Sequence, residues 1–226
     1  MTGSLRPRLD TLPSEQRRLW PELRPTTKIG FVLYGGTAVA LRLAHRTSVD
    51  FDFFCSKPLD RGRIGAALPF TTSSTVLQDE SDAFTILVGG AETAAAPVKV
   101  SFFGGIDFGR IGAPDLTDDN VLRIAAVDDL MATKLEVMLQ RVEAKDYRDV
   151  AAMIRSGASL ERGLAGAGAL YGAAFQPSER LKALVYFHGG DLASLSEEDR
   201  RCLLEAVRAV RDLPDVTISS NDLGWE

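Results

Sequence analysis

The sequence predicts an α/β fold in which a small mixed sheet is flanked by helices and followed by a helical C-terminal part. Three observations carry this. Residues 29–54 read as strand, tight turn, helix, polar turn and strand. Residues 72–103 contain three further runs rich in β-branched and apolar residues. Beyond residue 125 the apolar residues recur at helical spacing, with start and stop signals and no strand alternation. The expected organisation is a sheet-bearing core over residues 1–125 and a helical part over 126–226.

Taken in order, residues 1–10 are polar and expected to be a loose end. Ser14 to Leu23 reads as a short helix with Leu19, Trp20 and Leu23 on one face, and Pro21 is expected to kink or break it. Arg6, Arg8, Arg17, Arg18, Arg24 and Lys28 make this end basic, which reads as a solvated face. Ile29 to Leu33 is an apolar, buried strand, ended by Gly35-Gly36-Thr37. Ala38 to Ala44 forms a helix, His45-Arg46-Thr47-Ser48 turns the chain, and Val49 to Phe54 is the next strand. Alternation puts Asp50 and Asp52 on one face, with Val49, Phe51 and Phe53 turned to the core. Arg61 to Leu68 is a short helix. Thr72 to Gln78, Phe84 to Val88 and Val98 to Phe103 are strands, with a small-residue loop over 89–96.

The segment 106–112 reads as strand or loop, and Pro114 to Asn120 as a turn. Asp128 or Asp129 is expected to cap a helix from Leu130 to Val142, and the following helix ends near Ser156-Gly157. Leu160 to Leu170 is Gly/Ala-rich, and Pro177 opens a helix to Phe187. Ser196 to Asp199 is a near capping box that opens the last helix. Pro214 precedes a polar tail containing Trp225.

Composition narrows the functional classes. The chain has 226 residues, 45% hydrophobic and 25% charged, which is ordinary for a globular protein with a sizeable core. A net charge of −5 gives no global basic field to recruit nucleic acid. Cys55 and Cys202 form no ligand motif and read as reduced thiols of a cytoplasmic protein. No apolar stretch reaches membrane-spanning length, and no secretory leader is recognisable. His45 and His188 are the two histidines, which excludes a multi-histidine metal site.

The chemistry concentrates at residues 35–52. Carboxylates two residues apart on a strand lie about 6–7 Å apart at the backbone. They can converge on a hard cation such as Mg²⁺. A Gly-Gly turn opening a helix leaves backbone N–H groups where a phosphate can sit. Each feature alone is commonplace: Gly-Gly is a frequent turn, and Asp-x-Asp is usually a solvated strand face. Together, on a strand marked as buried by Phe51, Phe53 and Phe54, they suit metal-assisted nucleotidyl transfer.

Over residues 28–156 the chain resembles a known family. Gly35-Gly36-Thr37, Arg46-x-Ser48-x-Asp50-x-Asp52-Phe53, Ala-Thr-Lys134-Leu and Arg141-x-x-x-Lys145-Asp146-x-x-Asp149 are similar to the abortive-infection nucleotidyltransferase toxins of the AbiEii/AbiGii type, within the DNA-polymerase-beta-like nucleotidyltransferase superfamily. The resemblance implies a sheet of the nucleotidyltransferase type. It implies that Gly35, Gly36, Thr37, Ser48, Lys99 and Lys134 contact nucleotide, that Asp50 and Asp52 hold Mg²⁺, and that Asp50, Asp52, Lys134 and Asp146 serve catalysis. Asp146 is expected either to approach the metal or to orient Lys134. Lys145 and Asp149, four apart, are expected to pair. The implied activity is Mg²⁺-dependent transfer of a nucleoside monophosphate from an NTP to RNA (tRNA) or protein, by the toxin of a toxin–antitoxin pair with a cognate antitoxin.

One departure bears on that activity. Val98 to Phe103 aligns where the family carries Lys-x-Asp. Lys99 matches the lysine, but Ser101 occupies the position of the third carboxylate. A serine is no carboxylate base. Three outcomes are open: transfer with one metal, another acid such as Asp107 or Asp146 in its place, or nucleotide binding without turnover. A small-molecule nucleotidyltransferase of the antibiotic-modifying kind is a further alternative.

Overall fold

The computed structural model describes residues 4–89 and 96–224. The small-residue loop expected over 89–96 falls largely on residues 90–95, outside the described residues, as does Trp225. The chain folds into two compact units. The first comprises Met1–Gly109, Ala113–Ala125 and Ser220–Glu226, and the second Arg110–Gly112 and Ala126–Ser219.

The first unit holds an eight-stranded mixed sheet. Its strands are β1 (Ser4–Leu5), β2 (Val32–Tyr34), β3 (Asp50–Phe54), β4 (Thr75–Asp79), β5 (Ala83–Val88), β6 (Val98–Phe103), β7 (Asp115–Thr117) and β8 (Arg123–Ile124). Their order across the sheet is β1-β7-β8-β2-β3-β6-β5-β4. At the centre β3 runs antiparallel to β2 and parallel to β6, with Asp50 beside Lys99 and Asp52 beside Ser101.

One face of these central strands is the aromatic core. Phe51, Phe53 and Phe102 have no exposed surface. Phe53 stacks on Phe102 at 5.5 Å between centroids, and Phe31 meets Phe102 edge-on at 5.2 Å. Burying several aromatic side chains of this size, at roughly 1.5–3 kcal/mol each, fixes the register of β3, since a slip of one residue would invert every side chain. Val49 does not share this face: it precedes the strand and is 58% exposed, contrary to expectation.

Three helices belong to this unit: α1 (Ser14–Leu19), α2 (Gly35–Leu43) and α3 (Arg61–Ala67). The expected helix over 14–23 stops at Leu19 and continues as 3-10 turns from Trp20 to Ile29. Pro21 and Pro25 supply no N–H for an α-helical ladder, which accounts for the change. Both ends of the unit are better ordered than their polarity suggests. Ser4–Leu5 pairs in parallel with Leu116–Thr117. Leu223 is fully buried, and its N–H donates to the Ser56 hydroxyl at 2.8 Å.

The second unit is helical: α4 (Val127–Val137), α5 (Ala144–Arg155), α6 (Leu160–Tyr171), α7 (Pro177–Val185) and α8 (Glu197–Ala209). Helix α6 packs closely on α4, because a side chain at Gly163 would strike Met131, with its Cβ 2.2 Å from Cγ. Ser196 caps α8 as expected, accepting from the Asp199 N–H at 3.1 Å.

Helix α4 departs from its expected bounds. It starts after Ala126, with no side-chain cap, and ends at Val137, leaving Leu139 and Val142 exposed. Asp129 is not a cap. It lies buried in the first turn, where its carboxylate accepts the N–H groups of Ile111 at 2.7 Å and Gly112 at 2.8 Å. Burial outweighs those bonds and pushes its pKa up to about 6.

Candidate active site

In the first unit the turn and the acid pair meet. Helix α2 begins at Gly35, directly after β2, so its first-turn N–H groups have no partner within the helix. Gly35 has φ +71°, and a Cβ placed there would lie 2.5 Å from Asp52 Oδ2. Only glycine gives that approach. The backbone of the turn therefore lies directly against the Asp52 carboxylate.

Thr37 and Ser48 are turned inwards. Their hydroxyls hydrogen-bond each other at 2.8 Å, and Thr37 also donates to the Asp50 carbonyl. Both side chains are buried, so their visible work is to tie the first turn of α2 to the start of β3. The two aspartates are half-buried and alternate with the buried Phe51 and Phe53, which places both on the opposite face from the aromatic core.

The neighbouring strand completes this face. Lys99 Nζ lies 3.2 Å from Asp50 Oδ2. Ser101, beside Asp52, is 3% exposed and accepts a hydrogen bond from the Thr85 hydroxyl at 3.3 Å. Asp107 is exposed in the loop after β6. Among the described residues no group of three or more His, Cys, Asp or Glu side chains is placed to hold a metal. The residues that fit Mg²⁺ are Asp50 and Asp52: hard oxygen donors on one strand face, beside a backbone cradle. This ion commonly takes one or two carboxylates, with substrate phosphates and water completing its shell.

In the second unit Lys134 and Asp146 belong to one buried ionic cluster. Lys134 Nζ lies 2.6 Å from Asp146 Oδ1 and 2.7 Å from Asp149 Oδ2. The Lys134 side chain is 5% exposed, and those of both acids are fully buried. Arg141 reaches the other side of Asp146, with Nε 2.9 Å from Oδ2. The expected Lys145–Asp149 pair is absent from the described contacts: Lys145 pairs with Glu143 at 2.7 Å, and Asp149 takes Lys134 instead.

Of the two placements expected for Asp146, beside the metal or beside Lys134, the described contacts include the one with Lys134. The pairing of Arg141 with Asp146, of Asp149 with Lys134 and of Thr85 with Ser101 was not read from the sequence. An acid three residues after Asp146, on the same helix face, is the signal that pointed to Asp149. Nothing in the order of residues signalled Thr85.

The comparisons with known proteins agree with this architecture. Residues 19–217 match the family described as "Nucleotidyl transferase AbiEii toxin, Type IV TA system". An uncharacterized protein of Aquifex aeolicus (strain VF5) is 31% identical over 127 residues. That match covers 55% of this chain and 58% of the relative, so the aligned stretch spans less than two thirds of the relative's length. MenT4, a nucleotidyltransferase toxin from Mycobacterium tuberculosis H37Rv, superposes with a TM-score of 0.52 at 13% identity, covering 88% of this chain and 91% of that one. At that identity the likeness concerns the fold. No described helix is long and apolar enough to cross a membrane. With the family matching most of its length, the chain belongs to the AbiEii nucleotidyl transferase toxins of type IV toxin–antitoxin systems.

Proposed function

We propose that the chain transfers a nucleoside monophosphate from an NTP to a hydroxyl acceptor on RNA, tRNA in particular, or on a protein. The observation that carries this reading is the contact between Gly35 and the Asp52 carboxylate. It sets the turn that opens α2 and a hard carboxylate donor at one point. The N–H groups of Gly35 and Gly36, and that of Thr37, would hold the triphosphate. Asp50 and Asp52 would hold Mg²⁺, which when bound would neutralise phosphate charge and polarise the α-phosphorus.

In the transfer the acceptor oxygen forms a bond to the α-phosphorus. The bond from that phosphorus to the α,β-bridging oxygen breaks, and pyrophosphate leaves with the electron pair. The hydroxyl proton passes to water, since Ser101 offers no carboxylate to take it. Lys99 adds positive charge beside the reacting phosphate. The family signature makes Lys134 and Asp146 candidates for the same reaction, with Asp146 and Asp149 holding the Lys134 side chain in place. The reaction would proceed in the cytoplasm, where NTPs and tRNA are found, and a cognate antitoxin would restrain it.

The test is incubation with each labelled NTP, Mg²⁺ and either total RNA or cell protein, comparing the native chain with Asp50→Ala and Asp52→Ala. Label transfer by the native chain alone is expected. No labelled product under any condition removes the transferase reading. A second reading, nucleotide binding without turnover, is favoured by Ser101, and NTP binding with no product would support it. An aminoglycoside acceptor in the same assay separates the antibiotic-modifying alternative.

A further inference from the structure

We propose that Phe54 and Phe103 form the seat of the NTP's nucleobase, a stacking surface that holds the base without reading which base it is. The proposal rests on the nucleotidyltransferase reading above and deepens it.

Strand alternation sets the layout. Asp50, Asp52 and Phe54 share one face of β3, and Lys99, Ser101 and Phe103 share that face on β6. The parallel register joins them in three rungs: Asp50 beside Lys99, Asp52 beside Ser101, and Phe54 beside Phe103. Phe51, Phe53, Val100 and Phe102 lie on the opposite face with no exposed surface, so the rungs are held from behind. The aromatic rung is two residues beyond Asp52, about 6–7 Å along the strand.

This rung differs from the aromatic core on the opposite face. Phe54 and Phe103 are only half-buried, although they are large apolar side chains beside a polar site. Their rings meet edge-on, with centroids 5.3 Å apart and planes at 77°. Phe54 also stacks on Tyr34, at 4.8 Å and 13°, and meets Phe108 edge-on at 6.5 Å. The rings are therefore held in set orientations while keeping some surface, as a stacking seat requires.

The rest of the site gives the direction of the nucleoside. The Gly35 turn follows β2 and lies against Asp52, while Ser101 stands beside Asp52 on the β6 side. In transfer at the α-phosphorus the entering and leaving oxygens lie roughly in line. With pyrophosphate on the turn, that line runs across the strands, and the nucleoside extends along them. One way lies the charged pair, with Lys99 Nζ 3.2 Å from Asp50 Oδ2, which suits phosphate oxygens. The other way lies the aromatic rung, and the ribose bridges from the α-phosphate at Asp52 to the base on the rings.

The chemistry of the seat sets its selectivity. Phenylalanine offers no donor or acceptor to a base edge, and every base has a π-face, so stacking on it tolerates all of them. The nearest rung adds little readout, since the Ser101 hydroxyl is engaged by Thr85. All four NTPs are therefore seated alike.

The test uses calorimetry on the full chain with Mg²⁺ and α,β-methylene NTPs, which resist turnover. The comparison ligand carries the same triphosphate on a ribose without a base. The four NTPs should bind within about tenfold of one another, and the baseless ligand about 5–100-fold more weakly. Phe103→Leu should bring NTP affinity down to that of the baseless ligand and leave the baseless ligand unaffected. Phe103→Tyr, which keeps the ring, should bind NTPs as the native chain does. Equal affinity of the native chain for NTP and baseless ligand overturns the proposal and leaves the nucleotidyltransferase reading intact. Binding of neither overturns both. A preference above about a hundredfold for one base overturns the tolerant seat. A folded Phe103→Leu, checked by circular dichroism, that weakens both ligands equally shows a structural role, and the proposal falls. It falls equally if Phe103→Leu spares NTP binding and weakens binding of a short RNA.

Discussion

Replacing Lys134 by Met removes an ammonium from between two carboxylates while keeping most of the side-chain volume. Its Nζ lies 2.6 Å from Asp146 and 2.7 Å from Asp149, and the acid side chains have no exposed surface. Breaking a buried ion pair on one side costs about 3–5 kcal/mol, since a charge stays buried without its partner. Arg141 still neutralises Asp146. Urea unfolding of Lys134→Met followed by circular dichroism should show about 3–5 kcal/mol lost, a large share of a typical domain's stability. Pairing it with Asp149→Asn should recover about 1–3 kcal/mol relative to additivity, as expected for groups in direct contact. Lys134→Met unfolding within about 0.5 kcal/mol of the native chain would refute the assignment of Lys134 to a buried lock.

Other perturbations follow from the same geometry. Asp129 has a folded pKa of about 6 against 3.8 for the free group, so between those values the folded state binds more protons than the unfolded one. Stability from this group is therefore highest below about pH 4 and is lost as the pH rises through about 6. Asp129→Asn lacks that loss. Its stability relative to the native chain should improve by up to about 3 kcal/mol between pH 4 and 7, read by urea unfolding at both. Gly35→Ala meets both the Asp52 carboxylate and the positive φ, and should abolish NTP binding by calorimetry while the helical signal persists. Thr37→Val breaks the buried tie to Ser48 and the Asp50 carbonyl and should cost about 1–3 kcal/mol by thermal unfolding. Asp52→Asn should lower turnover to below about one-hundredth, more than about 2.7 kcal/mol of transition-state stabilisation, with folding unchanged.

The elements around the site were the most legible in the sequence. Strand β3 was readable because Phe51 and Phe53 alternate with Asp50 and Asp52, and burial of one face leaves no other register. Strand β6 was found at its expected bounds because its apolar run is long enough to show a period, and helix α3 was found within a residue. Strands β1, β7 and β8 have two or three residues each, too few for a period, and exist because long-range pairing supplies their hydrogen bonds. Asp128 and Asp129 looked alike as caps. Asp129 is distinguished only by the amides of Ile111 and Gly112, which the fold brings to it.

At the site, local spacing showed that Asp50 and Asp52 share a face but not that the backbone of Gly35 lies against one of them. Lys134 is a lysine on a helix of mixed pattern, and spacing alone reads it as exposed. Its burial follows from two acids on the next helix, and which of three nearby acids would pair with it depends on packing between α4 and α5.

The central claim is that a triphosphate sits on the Gly35 turn with its α-phosphorus beside Asp50 and Asp52. Its most direct test uses one NTP labelled at either the α- or the γ-phosphorus, with Mg²⁺ and the acceptor fraction that supports turnover. The α label should appear on the acceptor and the γ label in released pyrophosphate, both lost in Asp52→Asn. A γ label on the acceptor, or release of inorganic phosphate without transfer, would contradict the account.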